Sequence, residues 1–315
     1  MINQKLKWIK IAPGNNSLMI PVYSIGCGQP SIALTCSVHG DERASLFIIN
    51  NLINKLKILN SIDGTVNIIP TANPSAQYIN NRVSFVDQKD LNRVGKGNVS
   101  GSYTEKVGAK LFDFLTNCDL VINLHEFGMC SPVTAVYMNV GDETVKRKII
   151  DSILTFSPDI VWVIKANTST DSIYNSTLDS AIAKAGIPNF PVETSSSYYI
   201  SDSDIDKVSN GIINVLNLMG IIESPIKKQK EKQRILSFYR KQVFSDYTGI
   251  WEPEFCNFQF INKNTYIGKI TTIPEFETID IKSKAEGYLM NYRKRQFVSI
   301  GESIYSIGES AEIFR

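Results

Sequence analysis

Apolar, β-branched runs alternate with helix-periodic segments up to about residue 222, and that alternation restricts the fold more than any other feature of the chain. Residues 31–38 read as a strand. The next segment, 42–56, carries apolar residues at 46, 49, 53 and 56, a spacing that lays them on one helical face. Residues 65–70 form a short β-rich run. Ser102-Tyr103-Thr104-Glu105 has the form of a capping box and starts a helix through 107–115. Strand-like 119–124, 134–138 and 159–164 follow, with a helix over 143–156, another over 177–185 ending at Gly186, and a further strand over 187–193. Strands regularly separated by helices predict an α/β sheet, much of it parallel and covered by helices. Ligands of such sheets gather beyond the carboxyl ends of the strands.

The character changes after the polar, mixed-charge stretch 223–233. Residues 234–315 show short β-rich runs, such as 265–273 and 297–307, broken by Gly249, Gly268, Gly287, Gly301 and Gly308. The expected division is a catalytic region 1–222, a linker 223–233 and a smaller all-β domain 234–315 that narrows the mouth of the site. With 43% hydrophobic and 20% charged residues over 315 positions, the chain has ample material for a core. A net charge of +2 gives no basic surplus for nucleic acid or a membrane surface. There is no 18-residue apolar run, and the N-terminus lacks a basic region followed by an apolar stretch. The five cysteines (27, 36, 118, 130 and 256) are scattered and form no Cys-x-x-Cys pair. Reduced thiols in a cytoplasmic protein are the expectation.

Only two histidines occur, His39 and His125, and each closes an apolar strand-like run. Neutral imidazole is the commonest side-chain ligand of zinc, and His39-Gly40-Asp41-Glu42 supplies a nitrogen and an oxygen from one turn of backbone. A second histidine from a distant strand completes a two-histidine, one-carboxylate set with room for water. Amide hydrolysis at such a set also needs a carboxylate to move protons and a cation at the developing oxyanion. Glu193 ends the strand 187–193. Asn73-Pro74, Arg82 and Asp90-Leu91-Asn92-Arg93 lie in turn-rich sequence, and an arginine fork beside an asparagine suits a bidentate grip on a carboxylate. Glu126 alternates away from His125 in a continuing strand, so a satisfied or exposed carboxylate is its expected state. The polar stretch 194–206, with Tyr198 and Tyr199, reads as a surface loop placed to act as a lid or recognition loop.

Taken in order, His39-Gly40-Asp41-Glu42, Asn73-Pro74, Asp90-Leu91-Asn92-Arg93, Leu124-His125 and Pro191-Val192-Glu193 resemble the succinylglutamate desuccinylase/aspartoacylase family, a branch of the zinc carboxypeptidase-like hydrolases. The resemblance spans roughly residues 30–195. It extends more loosely through Glu286-Gly287-Tyr288 and residues 298–304, which look like that family's C-terminal β domain. It implies a zinc-carboxypeptidase-like mixed sheet flanked by helices, and one Zn2+ per chain held by His39, Glu42 and His125. It implies Glu193 as general base and acid, and Arg82 as the group polarising the scissile carbonyl. Asn92 and Arg93 become the clamp on a substrate carboxylate, and Tyr288 a substrate contact. Asn123 departs from the pattern: the family usually has aspartate two residues before the third ligand, where it supports the histidine from outside. The implied activity is zinc-dependent hydrolysis of the amide bond of a small N-acyl amino acid or related acylated amine. The implied partner is a small carboxylate-bearing substrate, with no nucleic acid or membrane and with homo-oligomerisation left open. The rival readings are a metallocarboxypeptidase acting on short peptides or peptidoglycan fragments, and a zinc-binding module without catalysis. An acyl-amino-acid panel assayed beside short peptides separates the first pair. Intact Glu193 and Arg93 weigh against the last.

Overall fold

The computed structural model describes residues 3–11, 18–165, 172–223, 236–255 and 259–314. The expected linker lies, from residue 224 onward, outside the described residues, as does Cys256. At the centre are four mutually parallel strands in the order β4 (Gly64–Ile69), β3 (Ser31–Thr35), β5 (Leu120–Glu126) and β8 (Asn189–Thr194). Every residue of β3 and β5 is buried. Helices cover both faces, so these strands carry continuous apolar runs rather than alternating ones.

The sheet grows outward from this centre on both sides. On one side β2 (Met19–Cys27) and β1 (Gln4–Lys10) add antiparallel. On the other, β6 (Thr134–Met138) pairs antiparallel with β8, and β7 (Ile160–Ile164) and β9 (Leu236–Phe244) follow parallel to β6. The sheet continues through β16 (Ser303–Ile313), β14 (Gly287–Tyr292) and β11 (Phe260–Ile261), which makes it twelve-stranded. A second sheet has four strands in the order β13 (Thr278–Lys282), β12 (Tyr266–Thr272), β10 (Gly249–Pro253) and β15 (Gln296–Val298). The expected architecture, a mixed sheet flanked by helices with a smaller C-terminal β region, is the observed one.

Helices α1 (Ala44–Lys57), α4 (Glu143–Phe156) and α6 (Asp202–Leu218) cover one face. On α1 the core-facing residues are Ser45, Ile48, Ile49, Leu52 and Leu56, with Leu46 and Ile53 at the margin. The stripe thus sits slightly to one side of the expected 46, 49, 53 and 56. Helices α3 (Tyr103–Leu115) and α5 (Leu178–Lys184) cover the other face. Glu105 takes the Ser102 N–H at 2.7 Å at the start of α3, the backward half of the expected capping box. Helix α6 was not anticipated: the segment read as a loop through 206 becomes helical at Asp202, where Ser201 caps it. A short helix α2 (Pro74–Tyr78) is capped by Asn73. No helix among the described residues is long and apolar enough to cross a membrane.

Candidate active site

Three parallel strands deliver the candidate site to one edge of the sheet. His39 lies in the turn between β3 and α1. The backbone there is fixed by Cys36 N–H to Ile69 O, Ala72 N–H to Cys36 O and Asn73 N–H to Ser37 O, at 2.9–3.1 Å. The Asn73 amide also donates to Val38 O at 3.4 Å, one residue before His39. Gly40 is required by close approach: a Cβ there would stand 2.1 Å from the carbonyl carbon of Ala76 in α2. His125 and Glu193 occupy paired positions on the adjacent parallel strands β5 and β8, so both side chains leave the same face. Glu126 consequently points the other way. Its carboxylate accepts from Ala44 N–H at 2.9 Å and Ser197 N–H at 3.0 Å, a satisfied group as expected.

His39, Glu42 and His125 converge in a buried cluster with fractional exposures of 3%, 9% and 4%. Nδ1 of His39 stands 2.6 Å from Glu42 Oε1, and Nδ1 of His125 stands 2.6 Å from Glu42 Oε2. The potential ligand atoms of the three all lie within 4.8 Å of one another. Burial pulls the His39 imidazole down, but the Glu42 charge and bonds to Asp90 and Glu42 outweigh it and push it up to about 9. His125 rises too, against burial, through Glu42. Burial alone would raise Glu42; the two imidazoles instead hold it well below the usual carboxylate range. Two nitrogens and a carboxylate aimed at one buried point fit a three-ligand metal centre. A divalent cation there would take over the charge that two imidazolium protons otherwise carry.

Glu193 is half-buried beside this cluster, and burial raises its carboxyl above the usual value while the His125 charge opposes that rise. Asp90 takes His39 Nε2 at 3.1 Å through Oδ1 and the Arg82 Nε–H at 3.0 Å through Oδ2. Arg82, with a side chain 45% exposed, holds Nη1 at 3.4 Å from His39 Nδ1 and 3.8 Å from Glu42 Oε1. Asn92 is buried, and its amide oxygen accepts the Leu178 N–H at 3.1 Å at the start of α5. The half-buried Arg93 donates to the Asn92 carbonyl at 2.8 Å and lies 5.8 Å from the Tyr174 ring centre. Tyr288 is on β14, its ring against Phe238 at 5.3 Å and Phe260 at 5.2 Å. Tyr198 is 86% exposed, and Tyr199 carries Lys294 over its ring at 4.6 Å. Asn123 does not support a histidine: its Oδ1 accepts from Thr35 Oγ1 at 2.5 Å, and its Nδ2 donates to Asp179 at 3.2 Å.

Residues 28–219 match the model of the succinylglutamate desuccinylase/aspartoacylase catalytic domain. The chain belongs to this family. A curated relative, the N-alpha-acetyl-L-2,4-diaminobutyric acid deacetylase of Halomonas elongata, is 24% identical over 309 residues, covering 94% of this chain and 87% of its own. A succinylglutamate desuccinylase/aspartoacylase from Rhodobacter sphaeroides superposes with a TM-score of 0.80 at 19% identity, over 99% of this chain and 96% of its own. The product-bound ectoine utilization protein EutE (DoeB) from Ruegeria pomeroyi gives 0.81 at 18% identity, over 98% and 95%. These likenesses carry the family fold over both the helix-covered sheet and the C-terminal β region.

Beside the family motif residues, the structure brings in three groups that sequence reasoning left without a role. Asp90, the first residue of Asp90-Leu91-Asn92-Arg93, links His39 to Arg82. Asp179, 1% exposed, lies beneath the cluster against Asn123. Arg240 enters from β9, its charge acting on Glu193. The last two are separated from their partners by 56 and 47 positions (179 − 123 and 240 − 193) and share no motif with them, so only the fold reveals them.

Proposed function

We propose that this chain is a zinc-dependent amidohydrolase that removes the acyl group from a small N-acyl amino acid or related acylated amine. The observation that carries this reading is the buried meeting of His39, Glu42 and His125, with Glu193 beside His125 on the next strand, in a chain of the desuccinylase/aspartoacylase family. The deacetylase and desuccinylase names borne by its relatives support acyl amino acids as the substrate class.

Zinc held by His39, Glu42 and His125 supplies Lewis-acid polarisation of a carbonyl and a water. The Glu193 carboxylate takes the water proton and returns it to the leaving nitrogen; burial raises its carboxyl above the usual value, which strengthens it as the proton acceptor. Asp90 holds the Arg82 guanidinium against the ligand cluster, where a free N–H edge polarises the scissile carbonyl oxygen. Arg93, steered by the Asn92 carbonyl and Tyr174, grips a substrate carboxylate. The Asn92 amide oxygen is committed to α5, so its contribution to that grip comes through its N–H groups. Tyr288, from the C-terminal β region, is the further proposed substrate contact.

Zinc stoichiometry and turnover together test the proposal. Wild-type protein should bind one zinc, and His39→Ala and His125→Ala should each lose stoichiometric metal; full retention in either variant contradicts the ligand set. Glu193→Gln should keep the zinc and lose turnover by about a hundredfold or more. Hydrolysis of short peptides with none of an N-acyl amino acid panel would replace the deacylase with a carboxypeptidase. Inactivity on both, equal to that of Glu193→Gln, would leave a zinc-binding module.

A further inference from the structure

Arg240 has no part in the chemistry above, yet it stands on β9 against Phe127, two residues beyond His125, with its charge acting on Glu193. Its guanidinium lies 4.7 Å from the ring centre of Phe127 and 5.1 Å from that of Trp162, and its Nε donates to the Ser306 hydroxyl at 3.1 Å. Phe127 follows His125 by two residues. Trp162 meets Tyr174 edge-on at 5.6 Å, and Tyr174 in turn carries Arg93. One row of aromatic rings therefore runs through Phe127, Trp162 and Tyr174, with Arg240 near one end and Arg93 near the other.

Among the described residues, Arg240 forms no ion pair, and its terminal nitrogens have no hydrogen-bond partner. Burial strips water from this half-buried guanidinium, and among the described residues only the Ser306 hydroxyl, the two rings and the more distant Glu193 charge offset that loss. The flanking rings stabilise the plane of the cation and leave its donor edge to be met by an anion. Glu193 acts on it only at a distance.

We propose that Arg240 is a specificity-determining residue whose terminal nitrogens take an anionic group of the substrate other than the carboxylate held by Arg93. The inference rests on the deacylase reading and deepens it. Two arginines along one aromatic row select a substrate with two separated anionic groups and disfavour one with a cationic side chain. The strand that supplies Arg240 follows the expected linker, so selectivity on this side of the cleft comes from the C-terminal region.

Two measurements on the zinc-loaded full chain and its Arg240→Met and Arg240→Lys variants test this. The first compares matched substrates: N-acetyl-L-glutamate with N-acetyl-L-glutamine, N-succinyl-L-alanine with N-butyryl-L-alanine, and N-acetyl-L-2,4-diaminobutyrate as the cationic case. Wild type should favour the anionic member of at least one pair and disfavour the cation. Arg240→Met should lower kcat/KM for that anionic member about tenfold to a hundredfold more than for its neutral counterpart, the range of a charge-assisted hydrogen bond, because any change passed on through Glu193 is common to both members. Arg240→Lys should keep part of the preference, which a merely structural arginine would not do. An equal fall in kcat on every substrate would overturn the proposal and assign Arg240 to Glu193.

The second measurement is calorimetric titration with glutarate, which needs no turnover. Wild type should bind it at least tenfold more tightly than Arg240→Met; equal affinities together with unchanged selectivity would also overturn the proposal. Arg240-dependent glutarate binding without hydrolysis of any N-acyl compound would sink the deacylase reading and leave the anion site standing. Near-UV circular dichroism establishes that each variant keeps the wild-type packing.

Discussion

Asn123 shows how one residue changes the ground beneath a site without touching it. Its amide accepts from Thr35 and donates to the buried Asp179, so the acid nearest this layer comes from α5 rather than from β5 itself. Burial already raises the Asp179 carboxyl above its ordinary value. Asn123→Asp would replace the amide donor by a second carboxylate and place two acids in contact away from water. We expect it to destabilise the protein by about 2–4 kcal/mol at pH 8, the scale of an unpaired buried charge. Adding Asp179→Asn should restore most of that loss, because one donor and one acceptor then face each other again. Urea unfolding of the single and double variants measures both, and additive losses would contradict the coupling. The meeting of His39, Glu42 and His125, the proposed ligand set, was legible because a His-x-x-Glu spacing and a scarce second histidine are local signals. The link from Asn123 to Asp179 was not, since nothing in the chain between them marks the contact.

Among the elements, α1 owes its start to a neighbouring strand. Its first residues carry no side-chain cap, and the Ala44 N–H is met instead by Glu126 from β5, which also takes the Ser197 N–H ahead of α6. One carboxylate thereby ties two helix approaches to the strand that carries His125. Glu126→Ala leaves one buried and one part-buried backbone donor unmet and should cost about 1–3 kcal/mol, while Glu126→Gln keeps an acceptor and should cost less. Burial pushes the Glu126 carboxyl up to about 7. A carboxyl raised in the folded state favours folding most below its unfolded value near 4.5, and that advantage is lost as pH rises through about 7. Wild-type stability should therefore decline between about pH 5 and pH 8 relative to Glu126→Gln, and parallel stability curves would remove the buried acid as the cause. The central strands and α4 were legible because burial on both faces, or a clean apolar stripe, writes itself into local sequence. Helix α6 was hidden by its own beginning: Ser201, Asp202, Ser203 and Asp204 read as loop, yet they are a cap and an acidic first turn favoured by the helix dipole. Its buried stripe of Val208, Ile212, Val215 and Leu216 lies further on.

For the whole molecule, the decisive fact is that the large sheet does not end where the composition changes. Strand β9 pairs with β7, and β16, β14 and β11 extend the same sheet. Phe238, Met290 and Phe314 belong to the core beneath α1, α4 and α6, while Trp251, Leu289 and Tyr305 build a separate core between the large sheet and the small one. Strand β14 thus serves both, Met290 on one side and Leu289 on the other. We propose that residues 234–315 act as a cap on the catalytic region 1–222 in function while sharing its core in folding. The sequence marks a compositional change after 222, but strand pairing across it depends on register between distant segments and leaves no local trace. A chain ending at residue 222 would bare the β7 edge and one side of Trp162, Val161 and their neighbours, an open template for pairing with other copies. It would also lose Arg240, whose charge acts on Glu193. We expect that fragment to aggregate, or to lack the cooperative unfolding of the full chain, in size-exclusion chromatography and thermal melts followed by circular dichroism. A monomeric fragment melting at the full-length temperature would show instead that the first 222 residues close their own core, with the C-terminal strands serving the cleft alone.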